Sequence, residues 1–217
     1  MAYYAVVNGR TNGIFLNWDD CKTSIIGHKG AIYKKFKVKA DAERYIQSNG
    51  VITASKIENN TIDFIPDYYV YTDGSCYNNG KQNALAGIGI YFGIDDIRNT
   101  AVKVNGKQTN NTAELSSIIE TYHIIEEDIL NGKKIVIVSD SKYALRCISS
   151  YGEKCNNAGW DLDIPNKELV KTAYEMYKCI NNVHFLHIKA HTNNTDVHSI
   201  GNYNADKLAN KAICLDK

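Results

Sequence analysis

Several things that would announce a function are missing from this sequence. Its 217 residues hold 25 Lys and Arg against 24 Asp and Glu, a formal net charge of +1. No bulk field therefore marks it for a polyanion, and any nucleic-acid contact has to come from local patches. The cysteines, at 21, 76, 147, 155, 179 and 214, include no C-x-x-C pair, which argues against a zinc ribbon or a redox dithiol. They read as reduced, mostly buried small hydrophobes, and so point to a reducing compartment. No uninterrupted apolar stretch is long enough to span a bilayer. The N-terminal "MAYYAVVNGR" has neither the apolar region of a secretory leader nor the Arg- and Ser-rich character of a transit peptide. The expected location is the cytoplasm, or the nucleus where the source has one. No internal repeat or low-complexity tract is present. What is left is an ordinary soluble composition, 44% hydrophobic and 23% charged, in a chain long enough for one or two domains.

The patterning predicts two. In residues 1–52, "YYAVV" and "IFL" read as strands around the turn "NGRTNG". "DDCKTSIIG" reads as a short helix with an acidic start and a closing glycine, "AIYKKFKV" as a strand and "DAERYIQSNG" as a helix. The order ββαβα makes a small sheet with helices on one face. Residues 53–67 show no clean period and carry Asn59, Asn60 and Pro66, so they read as a linker, with Ile57, Ile62, Phe64 and Ile65 available to pack on a neighbour. Residues 68–217 form a larger α/β unit. Strands are expected at 69–72, 86–92 and 99–104 as antiparallel neighbours, followed by a long helix through "TAELSSIIETYHIIEEDILNG" and a buried strand "KIVIVSD". Helices at 142–149 and 167–180, a strand "VHFLHIKA" and a final helix at 204–213 complete it.

Acids recur at the ends of these elements. In "YVYTDGSCYNNG" the aromatic and β-branched run breaks at Asp73, and Asp140 ends the apolar strand in the same way. The C-terminal ends of strands are where α/β sheets tend to carry active groups. Glu114 and Asp206 fall on helices. Each acid alone has a structural explanation: a turn former for the strand ends, a partner for the helix dipole in the case of Glu114 and Asp206.

Together they say more. "TDGS", "TNNTAEL", "VSDS" and "GNYNAD" occur in the order, with roughly the spacings and on the elements, of the ribonuclease H type 1 domain, and the resemblance covers about residues 68–214. It implies an RNase H-like mixed five-stranded sheet flanked by helices, with Asp73, Glu114, Asp140 and Asp206 gathered around two Mg²⁺ or Mn²⁺ ions. Four carboxylates in one place repel one another, and divalent cations offset that repulsion. Hard oxygen ligands suit Mg²⁺, and a metal pair suits in-line phosphodiester hydrolysis that leaves 5′-phosphate and 3′-hydroxyl ends. The resemblance further implies that His191 assists proton transfer, with His198 a competitor in the same flexible loop that reads better as a surface residue. His187, inside an apolar strand, reads as core. Asn79 (or its neighbour Asn78), Asn110 and Asn111 match readers of RNA 2′-hydroxyls, which amides can both donate to and accept from. Lys107, Thr109 and Asn166 resemble a pocket for a DNA phosphate, and Tyr143 and Tyr151 fall where aromatics line the DNA channel. The family's basic protrusion is thin here. "YGEKCNNAGW" offers only Lys154 and has Cys155 at an aromatic position, so the grip on DNA in this unit is expected to be weak.

Residues 3–46 resemble the hybrid-binding domain that precedes many cellular enzymes of this type, through "YYAVVNGRTNGIFLNWDDC" and "IYKKF". The resemblance implies that Tyr4, Trp18 and Tyr33 meet deoxyribose while Lys34 and Lys35 meet phosphates, apolar contact for sugar and charge for phosphate. The expectation is a monomeric endoribonuclease acting on the RNA strand of RNA/DNA hybrids, with possible binding of double-stranded RNA and no membrane partner. A retroelement-derived domain and a non-catalytic hybrid or double-stranded RNA binder are the alternatives. The N-terminal module disfavours the first and the full set of four acids the second.

Overall fold

The computed structural model describes residues 2–11, 13–28, 31–49, 64–190 and 195–214, and the chain divides into two compact units, Met1–Val51 and Ile52–Lys217.

The first unit has the order β1 (Tyr3–Asn8), β2 (Gly13–Phe15), α1 (Trp18–Ile25), β3 (Ile32–Phe36) and α2 (Lys39–Asn49). Its sheet is antiparallel throughout, with β1 in the centre. α1 starts where the Asn17 side chain accepts the Asp20 N–H, satisfying a donor that the first helical turn leaves open. A small core forms from Ala5, Val6, Val7, Cys21 and Ala42.

The second unit runs β4 (Tyr68–Tyr77), β5 (Leu85–Tyr91), β6 (Thr100–Lys103), α3 (Asn110–Leu130), β7 (Ile135–Ser139), α4 (Lys142–Cys147), α5 (Ser150–Asn157), α6 (Lys167–Tyr177), β8 (Val183–His187) and α7 (Val197–Ala212). Its sheet has the order β6-β5-β4-β7-β8. The first three strands pair antiparallel, and β4, β7 and β8 pair parallel. All five residues of β7 are buried because the sheet is covered on both faces: Ile135 and Ile137 enter the larger core with Leu115, Ile118 and Tyr177, while Val136 and Val138 join Tyr71, Leu186 and Ala205 on the other side.

Several expectations change. β4 does not stop at Asp73. Its parallel ladder to β7 ends at the Thr72–Ser139 pair, whereas its antiparallel ladder to β5 continues through Asp73–Gly89 to Tyr77–Leu85. The acid therefore sits inside a strand, at the point where one neighbour leaves. α7 begins at Val197 rather than near 204, because the Asp196 carboxylate accepts the His198 and Ser199 N–H groups and caps it there. A helix, α5, occupies part of the stretch read as a protrusion, with Cys155 buried in it. Cys21, Cys147 and Cys155 are buried but Cys179 and Cys214 are exposed, and all six are free thiols. The segment ahead of β4 behaves as the sequence allowed at Phe64, which packs on His184 at 4.3 Å between ring centres, and Asp67 exchanges hydrogen bonds with the Lys134 main chain. Ile65 is exposed; Ile57 and Ile62 lie outside the described residues. Among the described residues, no helix is long and apolar enough to cross a membrane.

Candidate active site

Two glycines make room for the site. A Cβ on Gly74 would lie 2.6 Å from the Ala113 carbonyl carbon, and one on Gly89 would lie 2.5 Å from the Ala209 nitrogen. Neither obstacle is a flexible side chain, so only glycine fits at either place. Gly74 lets the first turn of α3 rest on β4, and Gly89, paired with Asp73 across the sheet, lets α7 rest on β5. Asp73 is thus approached by both helices, one bringing Glu114 and the other Asp206.

Carboxylate oxygens of Asp73, Glu114 and Asp140 come within 4.8 Å of one another. Asp206 lines the same cleft of about 850 Å³, along with Ser75, Cys76, Asn110, Tyr203, Lys207, Asn210 and Lys211. Asp73 and Glu114 are each only 6% exposed. Burial, then the neighbouring charges of Asp140 and Asp206, push the Asp73 pKa up to about 8 against the pull of the Gly74 N–H. Burial, then Asp73 and Asp140, raise Glu114 as well. Acids so crowded hold protons unless a cation takes their place. The donor set suits a hard divalent ion, being all carboxylate. Glu114 supplies a more specific sign: its Oε2 is buried and makes no hydrogen bond among the described residues.

A second layer of amides aims the acids. Asn202 donates to Asp140 Oδ2 at 2.8 Å. Asn210 donates to Asp206 Oδ1 at 2.9 Å, and its own Oδ1 accepts the Ser75 hydroxyl at 2.6 Å. Asn110 reaches Glu114 Oε1 at 3.4 Å. Asn202 and Asn210 went unnoticed in the sequence although a signal was present: they stand four residues before and four after Asp206, one helical turn each way.

Asn79, at the β4–β5 turn, accepts the Asn110 N–H at 3.2 Å, so those two residues meet; Asn78 instead takes a left-handed turn conformation. Asn111 is exposed in the first turn of α3. Thr109 caps that helix through a reciprocal pair with Thr112, whose hydroxyl also donates to the Lys107 carbonyl. Lys107 itself is exposed. Asn166, before α6, donates to the Tyr143 hydroxyl at 3.1 Å, and Tyr151 is half-buried on α5. His191 lies outside the described residues.

The other two histidines depart from their sequence readings. His198 is in the first turn of α7, not a loop. Its ring packs on Tyr69 at 4.8 Å, its Nδ1 is 3.3 Å from the Tyr71 hydroxyl, and burial lowers its pKa. It is not among the residues that line the cleft. His187 stands half-buried at the end of β8 and hydrogen-bonds the Asp140 main chain; burial, then Lys142, lower its pKa.

In the first unit Trp18 stacks between Tyr4 at 5.6 Å and Tyr33 at 5.5 Å, and Trp18 and Tyr33 are about 40% exposed. The two lysines do not act as one feature, because neighbouring residues of a strand point to opposite faces. Lys35 lies over Tyr4, on the aromatic face, whereas Lys34 lies over Phe36 and Tyr45.

Comparison with known proteins agrees with this architecture. The model of the RNase H family matches residues 66–214, and that of the Ribonuclease H1 N-terminal domain matches residues 2–46. Ribonuclease H1 of Mus musculus is 25% identical over 95% of this chain and 87% of its own. Ribonuclease H of Schizosaccharomyces pombe is 29% identical over 97% and 96%. Among solved structures, the solution structure of the PFV RNase H domain shares the fold with a TM-score of 0.54 at 20% identity, over 67% of this chain and 93% of that one. The foamy viral protease-reverse transcriptase in complex with RNA/DNA hybrid does so with 0.56 at 19%, over 70% and 21%. With one family spanning the larger unit and that family's N-terminal module spanning the smaller, the chain belongs to the ribonuclease H family of enzymes.

Proposed function

We propose that this protein is an endonuclease that hydrolyses the RNA strand of RNA/DNA hybrids, giving 5′-phosphate and 3′-hydroxyl ends. The observation that carries the reading is the convergence of Asp73, Glu114 and Asp140, with Asp206 on the same cleft. These four would hold two Mg²⁺ ions, or Mn²⁺ in their place. When bound, such a pair supplies the positive charge that makes water a nucleophile near neutral pH and stabilises a leaving 3′ oxygen.

The chain's own residues do the rest. Asn202 and Asn210 hold the Asp140 and Asp206 carboxylates in fixed orientations, which keeps ligand geometry from depending on solvent. Asn79, Asn110 and Asn111 read 2′-hydroxyls and so select RNA for cutting. Lys107, Thr109 and Asn166 take a phosphate of the DNA strand, with Tyr143 and Tyr151 beside its path. His191 moves a proton at the departing product. Residues 1–52 act as a hybrid-binding domain through Tyr4, Trp18, Tyr33 and Lys35, with Lys34 on the opposite face of β3 outside that contact, a linker at 53–67 and the catalytic domain at 68–217. The hybrid-binding domain, residues 1–52, also accepts double-stranded RNA. The protein works as a monomer in a reducing compartment, the cytoplasm or a nucleus, where its six thiols stay free.

The test is a gel assay of 5′-labelled RNA/DNA hybrid, double-stranded RNA and double-stranded DNA, with and without Mg²⁺, for the wild type and Asp140→Asn. Only the hybrid should be cut, only with metal, and only by the wild type. The near-isosteric variant should still bind hybrid. Cleavage by Asp140→Asn at the wild-type rate would remove the four-carboxylate centre from the account.

A further inference from the structure

An acidic cleft that must receive a polyanion needs positive charge close to its acids, and the thin protrusion of this chain does not obviously supply it. α7 does. Lys207 and Lys211 are the cationic side chains among the described residues lining the carboxylate cleft, and Tyr203 lines it with them. The three are spaced i, i+4, i+8 and are all exposed. Four residues advance a helix by about 6 Å, which is on the order of the step between successive phosphates of one strand.

Their surroundings separate them from ordinary surface lysines. Lys207 Nζ sits 4.8 Å above the Tyr203 ring, an arrangement that holds a cation without neutralising it. Among the described residues neither lysine forms an ion pair, although Asp206 precedes Lys207 in the chain. Asp206 is instead held by the Asn210 amide. The helix also has a definite course. The main chain of Ala205 and Ala209 abuts Gly89, level with Asp73, and that of Ala209 abuts Gly87, level with Ser75. The row therefore starts beside the acids and runs along β4 toward the turn that carries Asn79.

We propose that Tyr203, Lys207 and Lys211 form a phosphate-binding rail for the strand being cut, extending from the carboxylates toward the β4–β5 turn. It rests on the hybrid-cleaving function proposed above. A side chain lining the cleft of the acids meets the strand that those acids act on, so the rail contacts RNA rather than DNA. It reads no base, because lysine ammonium groups meet phosphate as point charges.

The test uses the full chain as wild type, Lys207→Gln/Lys211→Gln and Lys207→Arg/Lys211→Arg, with a fluorescent RNA/DNA hybrid in EDTA over a range of salt concentrations. Loss of two phosphate contacts should flatten the plot of log affinity against log salt by roughly 2 in the Gln pair, and the Arg pair should restore the wild-type slope. Replacing RNA phosphates near the cut with neutral methylphosphonates should weaken the wild type but leave the Gln pair insensitive. The same change in the DNA strand should affect both alike. All three proteins should melt at the same temperature, since the substituted side chains are exposed. A Gln pair with the wild-type slope, or equal sensitivity of both proteins to neutral RNA linkages, overturns the rail. Cleavage of hybrid by the wild type in Mg²⁺ is scored separately: its failure would defeat the parent function, whereas normal cleavage with an unchanged slope would defeat the rail alone.

Discussion

Asn202 gives its side-chain amide to Asp140 Oδ2 at 2.8 Å while its own Oδ1 stays buried without a hydrogen bond among the described residues. An amide so placed is committed to the carboxylate on one side and, among the described residues, to nothing on the other. Its presence is accounted for by the aim of Asp140, not by the stability of α7.

Asn202→Ala should therefore lower activity through metal placement. Loss of a group that orients a metal ligand typically costs about 10–100-fold in metal affinity or activity. The Mg²⁺ concentration for half-maximal cleavage should rise, with hybrid affinity in EDTA close to that of the wild type. A variant with a normal Mg²⁺ requirement would show that Asp140 aims itself.

Gly74→Ala should be destabilising as well as inactivating. The added methyl meets the main chain of α3, so a strand or a helix must move. Overpacking of that kind costs about 1–3 kcal/mol, and each kcal/mol lowers the melting temperature of a chain this size by about 2–4 °C. Thermal unfolding with cleavage on the same samples checks both effects.

The crowded acids make the metal-free protein sensitive to alkali. Asp73 is held at a pKa of about 8, against an ordinary 3.8. Its proton is bound more tightly in the folded state, so the associated stability is complete at low pH and is lost as pH rises from about 4 through about 8. His187 and His198, with lowered pKa values, work in the opposite sense as pH falls. The clean quantity is thus the difference between wild type and Asp73→Asn. In EDTA the wild type should lose melting temperature relative to the variant between pH 5 and 8, and Mg²⁺ should recover more of it at pH 8 than at pH 6. A difference that does not change with pH would contradict the crowding.

Lys35→Ala should weaken hybrid binding by the full chain more than Lys34→Ala does, since only Lys35 shares a face with the Tyr4–Trp18–Tyr33 stack. The first should reduce the salt dependence of binding by ~1 in slope; the second should leave it nearly unaltered. Equal effects from the two would mean that nucleic acid wraps both faces of β3.

Most of the order of elements was legible because it depends on short-range pattern, strand alternation, apolar runs and helical spacing, although α5 was not. The four acids were brought together only by the resemblance of their motifs to the ribonuclease H type 1 domain, since each alone has a structural explanation. The continuation of β4 past Asp73 was not legible, because Asp-Gly reads locally as a turn, and only the packing of α3 and α7 on Gly74 and Gly89 explains why a strand persists there. His198 was misplaced for a similar reason. Capping by Asp196 starts α7 ahead of its apolar pattern and carries the ring onto Tyr69 and Tyr71. The opposed lysines of β3 could have been separated from sequence, since a strand was already assigned and its pleat alternates.

Because Asp73 belongs to a ladder and not to a loop, it has no hinge of its own. Its main-chain amide should be among the last in the protein to exchange with deuterium, opening only when the whole sheet opens. The rhythm of turnover then cannot come from the acid swinging in and out. It has to come from what rests on that fixed floor, the side chains that grip a strand and let it go, so that changing the pace of this enzyme means changing its hold on nucleic acid while the chemistry beneath stays still.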